Sequence, residues 1–425
     1  MNILLLGSGG RESAIALSIQ KSIFSGSVAK LFAIPGNPQI ETIGTCHNVL
    51  LDNRVIKDFC VENNIQLVIV GPEELLANGL VDYLGSFDIA AFGPSQKAAQ
   101  IESSKIFMKD FCTKYNIPTA KYRTFYKDKD SKDDIIRFAQ EIWLPIVLKT
   151  NGLANGKWVV ICESFWDFED ELSEYFNGKF GDAGRSIVIE EFLYGKEVSF
   201  FSLSDGKHFK TIGYACDHKK LLDNNKWPNT GGMWTYSSKT ILSEAQIDEI
   251  NKHMIQPLVE WMNHEGHPYK WVIFAGIIIT PQWIKLIEYN ARFGDPETQS
   301  ILPLLKNDIV ELFLASVNGN LEGLQVEISD KACVNIVCVS HGYPNDYQIN
   351  FPISWIEHLS ENVSVFHSGT KNNKNILVTN GWRVLSLCSI DDTIASAADN
   401  VYHEIEKIRF EGMQYRHDIW KNCCI

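Results

Sequence analysis

Short apolar runs alternate with amphipathic stretches over roughly the first hundred residues of the chain. Four runs bounded by glycine or proline predict β-strands: Ile3–Leu6, Leu31–Ile34, Leu67–Val70 and Ala90–Phe92. The segments GSGGRE, PGNP, GPEE and GPS follow these strands. Strands that alternate with helices form a parallel sheet whose ligands bind at the carboxyl ends of the strands. We therefore expect an amino-terminal doubly wound domain with a binding site along that edge.

The pattern changes in the middle of the chain, where apolar runs predict antiparallel pairs. Ser95 is predicted to cap a short helix, and a second helix is predicted over Lys105–Tyr115. LPIVLKT and KWVVICE flank a glycine-rich turn and form one antiparallel pair, and WVIFAGIIIT and IKLIEYNA form another. The polar segment Asp217–Gly232 is too long for a simple turn, which indicates that it lines a site.

A third block begins at about residue 330 with ACVNIVCVSHGYP and ends in an amphipathic helix. The apolar face of that helix recurs at Ile394, Ala397, Val401, Ile405 and Ile408. The length of 425 residues agrees with several domains, since a single core of this size is unusual. The pattern as a whole predicts an α/β protein of several domains.

Composition and charge exclude some classes of function. The net charge of −13 argues against sequence-independent binding of nucleic acid, which needs clustered cations. No apolar run is long enough for a membrane helix, and the apolar start lacks a basic region before it, so we expect no membrane contact and a cytoplasmic protein. The ten cysteines are scattered and form no CxxC pair, which favours reduced core thiols.

The segment GSGGRE, after the first predicted strand, is a candidate anion site. Glycines let backbone amides approach an anion, and a helix amino terminus favours negative charge. A dinucleotide fingerprint would need a third glycine at the position of Glu12, so a phosphate-bearing substrate fits better than NAD. A tight packing turn is the alternative interpretation, and the segment alone does not decide between them.

The stretch IEYNARFGDPE combines oxygen ligands with a charged loop. Glu288 and Asn290 alternate along a strand and so share a face, where a carboxylate and an amide oxygen suit Mg²⁺. Arg292 and Asp295 follow in the adjoining loop. An exposed strand edge next to a charged loop is the alternative, and the isolated Glu/Asn pair favours that alternative.

Two lysines on either side of a glycine-rich turn are candidates to bind the phosphates of ATP. Lys149 ends an apolar strand and Lys157 lies in the following loop. A solvated lysine is the usual alternative for either residue taken singly. The run VIEEF places carboxylates at a strand end, where backbone and side chain can meet an adenine edge.

These motifs together resemble the phosphoribosylamine–glycine ligase (glycinamide ribonucleotide synthetase) family of the ATP-grasp superfamily. The resemblance runs through MNILLLGSGGRE, VIVGPEELLANGLVDYL, GPSQKAAQIESSKIFMKDF, IPTA, PIVLK, IEEFLYGKEVSFF, DHKK, PNTGGM, NARFGDPETQ, VFHSGTK and YRHDIWK. It covers nearly the whole length, and RFGDPE is close to diagnostic within the superfamily. It implies an amino-terminal phosphoribosylamine-binding domain over residues 1–103. An ATP-grasp region over 104–328 would follow, with a lid at about 120–188, and then a small α+β domain over 329–425.

The resemblance also implies a reaction and a set of site residues. Glycine would be ligated to 5-phosphoribosylamine with ATP through a glycyl phosphate, the second step of purine biosynthesis. Mg²⁺ or Mn²⁺ would be held by Glu288 and Asn290. The phosphoribosylamine and glycine sites would include Gly9, Gly10, Arg11, Asn37, Glu73, Thr230 and Gly231. The nucleotide site would include Lys105, Lys149, Gly152, Gly156, Lys157, Glu190, Glu191, Leu193 and Glu197. Catalytic positions would be Asp217, Lys219, Arg292 and Asp295.

Two rival interpretations stay open at this stage. The first is another ATP-grasp carboxylate–amine ligase with a different acceptor, against which the GSGGRE, PGN and GPEE segments favour a phosphoribosyl amine. The second is a non-catalytic nucleotide-binding relative. We expect no nucleic-acid partner, and a monomer or weak dimer.

Tryptophan is where the chain departs from the family. Ten of its eleven tryptophans fall at positions where the family has glycine: Trp143, Trp158, Trp227, Trp234, Trp261, Trp271, Trp283, Trp355, Trp382 and Trp420. Glycine and tryptophan share no property that would favour this exchange, and glycine serves positive φ or close backbone approach. Our hypothesis is that these positions are UGA codons, read as glycine in the source organism and written here as tryptophan. If the tryptophans are genuine, Trp158 and Trp234 crowd the site and the non-catalytic interpretation gains weight.

Overall fold

A computed structural model describes residues 1–152, 159–178 and 185–418. The amino-terminal block is built on a parallel sheet of five strands in the order β3-β2-β1-β4-β5. The strands are β1 (Asn2–Gly7), β2 (Lys30–Pro35), β3 (Thr45–Cys46), β4 (Leu67–Val70) and β5 (Ala91–Phe92). The helices are α1 (Gly10–Phe24), α2 (Asn53–Glu62), α3 (Glu73–Ala77) and α4 (Leu80–Gly85). The four predicted strands are confirmed.

The order of these strands locates a crevice. The chain passes from β1 outward to β3 on one side and then returns to β4 and β5 on the other. Ligands in such sheets bind beyond the carboxyl ends of the two strands where the direction reverses, here β1 and β4. Those two strands are buried along their length, as expected where both faces of the sheet are covered. The crevice therefore lies between the GSGGRE and GPEE segments.

The lid is a separate layer with its own core. Its elements are β6 (Tyr122–Tyr126), α7 (Lys132–Ile142), β7 (Ile146–Thr150), β8 (Val159–Cys162), α8 (Phe165–Phe176) and β9 (Ser186–Glu191). The four strands pair antiparallel in the order β6-β9-β7-β8. The predicted pairing of LPIVLKT with KWVVICE is confirmed. A hydrophobic cluster that includes Phe125, Leu148 and Phe168 belongs to this layer alone.

An antiparallel sheet of eight strands forms the base of the molecule. Its order is β14-β13-β10-β11-β12-β15-β19-β16. These strands are β10 (Lys196–Ser204), β11 (Phe209–Leu222), β12 (Lys226–Ser237), β13 (Val272–Ile279), β14 (Ile284–Asn290), β15 (Ala332–Val339), β16 (Val363–His367) and β19 (Arg383–Asp391). A two-stranded sheet, β17 (Thr370–Asn373) and β18 (Ile376–Thr379), lies beside it.

The large sheet crosses from the central region into the carboxy-terminal block. β12 pairs with β15, with Trp234 opposite Ile336 and Ser237 opposite Cys333. One hydrophobic cluster likewise contains Ile3, Phe200 and Val334 from all three blocks. The predicted segment Asp217–Gly232 is the tip of the hairpin formed by β11 and β12, so its polar residues lie mostly on strands.

The remaining helices pack against the five-stranded and the eight-stranded sheets. They are α5 (Gln100–Ser103), α6 (Lys105–Lys114), α9 (Glu244–Ile250), α10 (Gln256–His264), α11 (Thr298–Ile301), α12 (Ile309–Asn318) and α13 (Ile394–Ile405). Within the described residues, no helix is long and apolar enough to cross a membrane. Ser95 accepts from the amide of Ala98 in a turn, and the helix itself begins at Gln100, later than predicted.

Several tryptophans occupy unusual places in this fold. Trp143 caps α7 with φ 59° and ψ 167°, and Trp355 has φ 75° and ψ 7°. The first conformation is almost restricted to glycine, and the second is left-handed. Trp234 is fully buried, and its indole N–H has no hydrogen-bond partner among the described residues. The ring centroid of Trp271 lies only 3.8 Å from that of Phe92, closer than aromatic pairs prefer.

His367 is a buried histidine between the amino- and carboxy-terminal blocks. Its carbonyl accepts from Ser13 Oγ at 2.7 Å and from Asn37 Nδ2 at 3.1 Å. Burial lowers the pKa of its ring from 6.5 to about 4. The His367 ring therefore takes up a proton more readily in the unfolded chain than in the folded chain. The free energy of unfolding decreases as the pH falls from the unfolded pKa toward the folded pKa.

We expect the His367→Gln variant to be less sensitive to acid than the unchanged chain. When the pH falls from about 7 to about 5, the buried His367 should lower the unfolding free energy of the unchanged chain by about 2 kcal/mol. The variant should not show this decrease. Urea unfolding at the two pH values measures it. His403, exposed on α13, is the control residue. Equal acid sensitivity of the His367→Gln variant and the unchanged chain would contradict the assignment.

Candidate active site

The GSGG turn and the RFGDPE loop meet at the crevice. The backbone N–H of Arg11 donates to Asp295 Oδ2 at 3.1 Å. The Arg11 guanidinium pairs with Glu12 Oε1 at 2.6 Å and donates to the carbonyl of Phe293 at 3.0 Å. Glu12 in turn accepts from the amide of Gly9 at 2.7 Å. The residue that breaks the dinucleotide fingerprint thus holds the turn and its arginine in place.

Gly10 is where the turn approaches the other two blocks. A Cβ at this position would lie 2.7 Å from Ser368 Oγ and would overlap Gln299 Nε2. No side chain fits without a shift of these neighbours. The contact brings the VFHSGTK segment of the carboxy-terminal block against the GSGG turn.

Asn37 supports the turn from behind. Its amide nitrogen donates to the carbonyl of Ser8 at 2.9 Å and to Ser13 Oγ at 2.8 Å. Its side-chain oxygen accepts from the amides of Gln39 and Ile40. The structure places Asn37 beside the predicted pocket, with both ends of its amide engaged by the protein.

Arg292 links the amino-terminal block to β14. Its Nε lies 3.8 Å from Glu73 Oε2 and 3.3 Å from Glu102 Oε1, and Nη2 donates to Asn290 Oδ1 at 3.4 Å. Burial raises the pKa of the Glu73 carboxyl, but Arg292 and Arg11 outweigh that effect and the net pKa is lowered. The predicted Glu73 and Arg292 are therefore neighbours across two blocks.

Glu288 and Asn290 lie on one face of β14, as predicted. Tyr289, between them, points to the other face and donates to the carbonyl of Met254. Lys105 Nζ is 2.7 Å from Glu288 Oε2. Burial disfavours the ionised carboxyl of Glu288, yet Lys105 and Lys149 outweigh that effect and its pKa lies far below the ordinary value. An ionised carboxylate beside an amide oxygen fits a hard cation such as Mg²⁺ or Mn²⁺.

A buried glutamate holds two lysines at the entrance to the lid. Lys149 Nζ lies 3.1 Å from Glu190 Oε1, and Lys109 Nζ lies 3.0 Å from Glu190 Oε2. Lys109 also donates to Thr119 Oγ1 at 2.8 Å and is fully buried. Sequence reasoning missed Lys109; its place on the inner face of α6, four residues after Lys105, was the available signal.

The rest of the predicted nucleotide site is partly described. Glu191 pairs with Lys285 at 2.8 Å and accepts from the amide of Lys121, and Leu193 lies in the connection between β9 and β10. Gly152 has φ 115°. Gly156, Lys157 and Trp158 lie outside the described residues.

The hairpin tip supplies the other wall of the cleft. Lys219 Nζ is 3.5 Å from Glu197 Oε2, and Thr230 Oγ1 donates to the carbonyl of Lys219 at 2.8 Å. Burial and Glu297 raise the pKa of Asp217 well above its usual range, and its Oδ1 has no hydrogen-bond partner in the described part of the chain. A cavity at this wall is lined by Glu197, Val198, Ser199, Asp217, Lys219, Phe274, Gly276, Ile277, Ile287 and Glu288.

Gly232 is required by this wall. It has φ 120°, and a Cβ there would lie 2.8 Å from Asp217 Oδ1 and overlap Pro296. The hairpin tip can therefore lie against the RFGDPE loop only if position 232 is glycine. The predicted Asp217, Lys219, Gly231 and Asp295 are brought together by this contact.

Comparison with known proteins agrees with this arrangement. Three family models match consecutive parts of the chain: phosphoribosylglycinamide synthetase N domain at residues 1–102, its ATP-grasp (A) domain at 103–298 and its C domain at 333–422. A phosphoribosylamine–glycine ligase from Caldanaerobacter subterraneus subsp. tengcongensis is 39% identical over 421 residues, 99% of each chain. One from Caulobacter vibrioides is 41% identical over 426 residues, 99% of this chain and 98% of that protein.

Solved structures show the same fold. The crystal structure of phosphoribosylamine–glycine ligase from Thermotoga maritima matches with a TM-score of 0.84 and 28% identity, covering 98% of this chain and all of that one. Biotin carboxylase from Campylobacter jejuni, in complex with an ATP analogue, matches with a TM-score of 0.75 at 14% identity. That match covers 97% of this chain and 92% of the carboxylase, and it shows the fold alone.

Proposed function

The chain belongs to the phosphoribosylglycinamide synthetase family, and we propose that its crevice between β1 and β4 binds phosphoribosylamine while the cleft beneath the lid binds ATP and glycine. The activity is the ATP-dependent ligation of glycine to phosphoribosylamine, a step of purine biosynthesis. One observation carries the proposed arrangement: the Arg11 amide lies 3.1 Å from Asp295, so the anion-binding turn and the RFGDPE loop form one site.

Cations are placed to receive the phosphates of ATP. In the proposed complex, Lys105 and Lys149 leave their partners Glu288 and Glu190 and contact the phosphates. Lys109 stays with Glu190 and keeps that carboxylate ionised. Glu191, Leu193 and Glu197 hold the adenine and ribose at the connection between lid and base. Gly152 ends the described part of the predicted phosphate loop, and the predicted contributions of Gly156 and Lys157 lie outside the described residues.

Glu288 and Asn290 are the proposed ligands of Mg²⁺ or Mn²⁺. The chemistry that such a cation would supply is neutralisation of charge on the transferring phosphate. Lys105 pairs with the Glu288 carboxylate at 2.7 Å, so it compensates the charge of Glu288 before the nucleotide enters.

The reaction proceeds in two displacements in this proposal. A carboxylate oxygen of glycine attacks the γ-phosphorus, the bond to the bridging oxygen breaks, and ADP leaves with a glycyl phosphate formed. The amine of phosphoribosylamine then attacks the acyl carbon, the carbon–oxygen bond breaks, phosphate leaves and the nitrogen loses a proton. Catalysis is positioning and charge neutralisation by Asp217, Lys219, Arg292 and Asp295.

Around the acyl group, Thr230 and Gly231 close the glycine pocket from the hairpin tip. Gly9, Gly10 and Arg11 face the phosphoribosyl phosphate, with Asn37 and Glu73 at its margins. We further propose the domain limits 1–103, 104–328 and 329–425, with a lid at about 120–188, and a monomer or weak dimer.

An ADP-release assay with a coupled readout tests the function. We expect continued turnover to ADP only when glycine and phosphoribosylamine are both present, with a product mass that equals their condensation. Omission of each substrate and a series of other amino acids are the controls. Turnover with another acceptor would favour a different carboxylate–amine ligase, and ATP binding without turnover would favour the non-catalytic alternative.

A further inference from the structure

Arg383 reaches from the carboxy-terminal block into the proposed ligation site. It begins β19, and its Nη1 donates to two main-chain carbonyls, that of Asp295 at 2.6 Å and that of Gly231 at 3.0 Å. Its Nη2 lies 3.4 Å from Asp295 Oδ1. One guanidinium thus holds two loops that come from different parts of the chain. The sequence motifs gave no role to this residue.

Asp295 is engaged on all sides. Arg11 donates its amide to Oδ2 at 3.1 Å, Gln299 Nε2 donates to Oδ1 at 3.1 Å, and Arg383 supplies the only cation that the described residues pair with it. Burial raises the pKa of Asp295, but Arg383 and Arg11 outweigh that effect and the net pKa is lowered. Loss of Arg383 would leave the carboxylate held by neutral donors and a distant charge.

Gly231 is held from the same block by a second group. Its backbone N–H donates to the hydroxyl of Tyr343 at 2.8 Å while its carbonyl accepts from Arg383. Tyr343 and Arg383 therefore hold both backbone polar atoms of one residue, Gly231, at the hairpin tip. The pair stands at the place where Gly232 packs on Pro296 and Asp217.

We propose that Arg383 is a positioning residue for the ligation, which sets Asp295 and the Gly231 turn at a fixed separation and against the GSGG turn. The proposal rests on the proposed function, since Asp295 and Gly231 are assigned to the site there. The carboxy-terminal block thereby contributes to the geometry in which the amine meets the acyl phosphate. The ATP lysines lie on other elements, so nucleotide binding does not depend on Arg383.

The experiment compares the Arg383→Gln and Arg383→Lys variants with the unchanged chain. We expect kcat for ligation to fall about 10- to 100-fold in Arg383→Gln, as losses of supporting partners around reactive groups do. The KM for ATP should change less than about threefold, and Arg383→Lys should recover part of the rate because it keeps the charge. Arg409→Gln is the matched control, since Arg409 lies in the same block and donates to its neighbour's carbonyl.

A double-mutant cycle separates positioning from a loss of structure. If Arg383 acts through Asp295, Arg383→Gln combined with Asp295→Asn should cost little more than Asp295→Asn alone. An unchanged kcat in Arg383→Gln, or costs that add fully in the double variant, would overturn the inference. If the unchanged chain binds ATP and fails to ligate glycine, the proposed function fails instead.

Discussion

Replacement of Glu288 by alanine should abolish ligation while ATP binding persists. The carboxylate is the only acidic group on the proposed metal face of β14, so its loss leaves the amide of Asn290 to hold the cation. Supporting partners of a metal site are worth 10- to 100-fold in affinity or activity, so a direct ligand should cost more than about 100-fold in kcat. Lys105 loses its partner at 2.7 Å and becomes free to pair with phosphate.

A phosphate-release assay measures the loss of ligation, and a titration with ATP measures the nucleotide binding that should persist. Glu288→Asp should keep activity but shift the Mg²⁺ or Mn²⁺ concentration at half-maximal rate, because the shorter side chain retracts the ligand. Glu260→Ala is the control, since this glutamate lies on the exposed side of α10. Full activity of Glu288→Ala would remove the metal assignment.

Glycine at positions 143 and 355 should make the chain more stable. Both tryptophans have positive φ, where a side chain costs roughly 1–2 kcal/mol per residue. Trp143 and Trp355 are also largely exposed, so little apolar burial is lost on their removal. The double variant Trp143→Gly, Trp355→Gly should gain about 2–4 kcal/mol of unfolding free energy.

Trp166→Gly is the matched control, and we expect it to lower the unfolding free energy rather than raise it. This tryptophan lies in the first turn of α8 and is also exposed, so the same exchange should cost up to about 1 kcal/mol through helix propensity. Thermal unfolding of the three chains decides between the outcomes. Equal destabilisation at all three positions would contradict the expected relief of backbone strain at Trp143 and Trp355.

The codons test the wider hypothesis directly. UGA codons at the ten positions of the gene, with UGG at position 166, would support the hypothesis that the natural chain carries glycine. Trp234 and Trp271 then become glycines too, which removes an unpartnered buried N–H and a crowded ring. UGG at the ten positions would refute the hypothesis. Trp227 and Trp382 belong to the same series, and Trp158 and Trp420 lie beyond the described residues.

The sequence predicted helices and strands better than it predicted which residues contact one another. Strands such as Leu67–Val70 were bounded correctly because buried parallel strands leave an unbroken apolar run. The helix after Ser95 began late, since a hydroxyl that accepts a local amide can stabilise a turn as well as a helix. Motifs likewise placed Glu288 and Asn290 on one face, a fact that follows from strand periodicity alone.

Contacts between distant segments were beyond sequence reasoning. The pairing of Lys109 with Glu190, and the reach of Arg383 to Asp295, depend on tertiary packing that no local period encodes. Resemblance supplied the list of site residues, and the three-dimensional structure supplied the network that joins them.

The pairing of β12 with β15 makes the carboxy-terminal block impossible to trim cleanly. A chain cut at residue 328 would leave β12 as an open edge, with the Trp234–Ser237 amides and carbonyls deprived of their partners. Unprotected edges of this kind recruit strands from other molecules. Within the described residues, the four strands of the lid pair with one another, and so do the five strands of the amino-terminal block, so neither sheet has such a tie. These two pieces could be exchanged between relatives without opening a sheet.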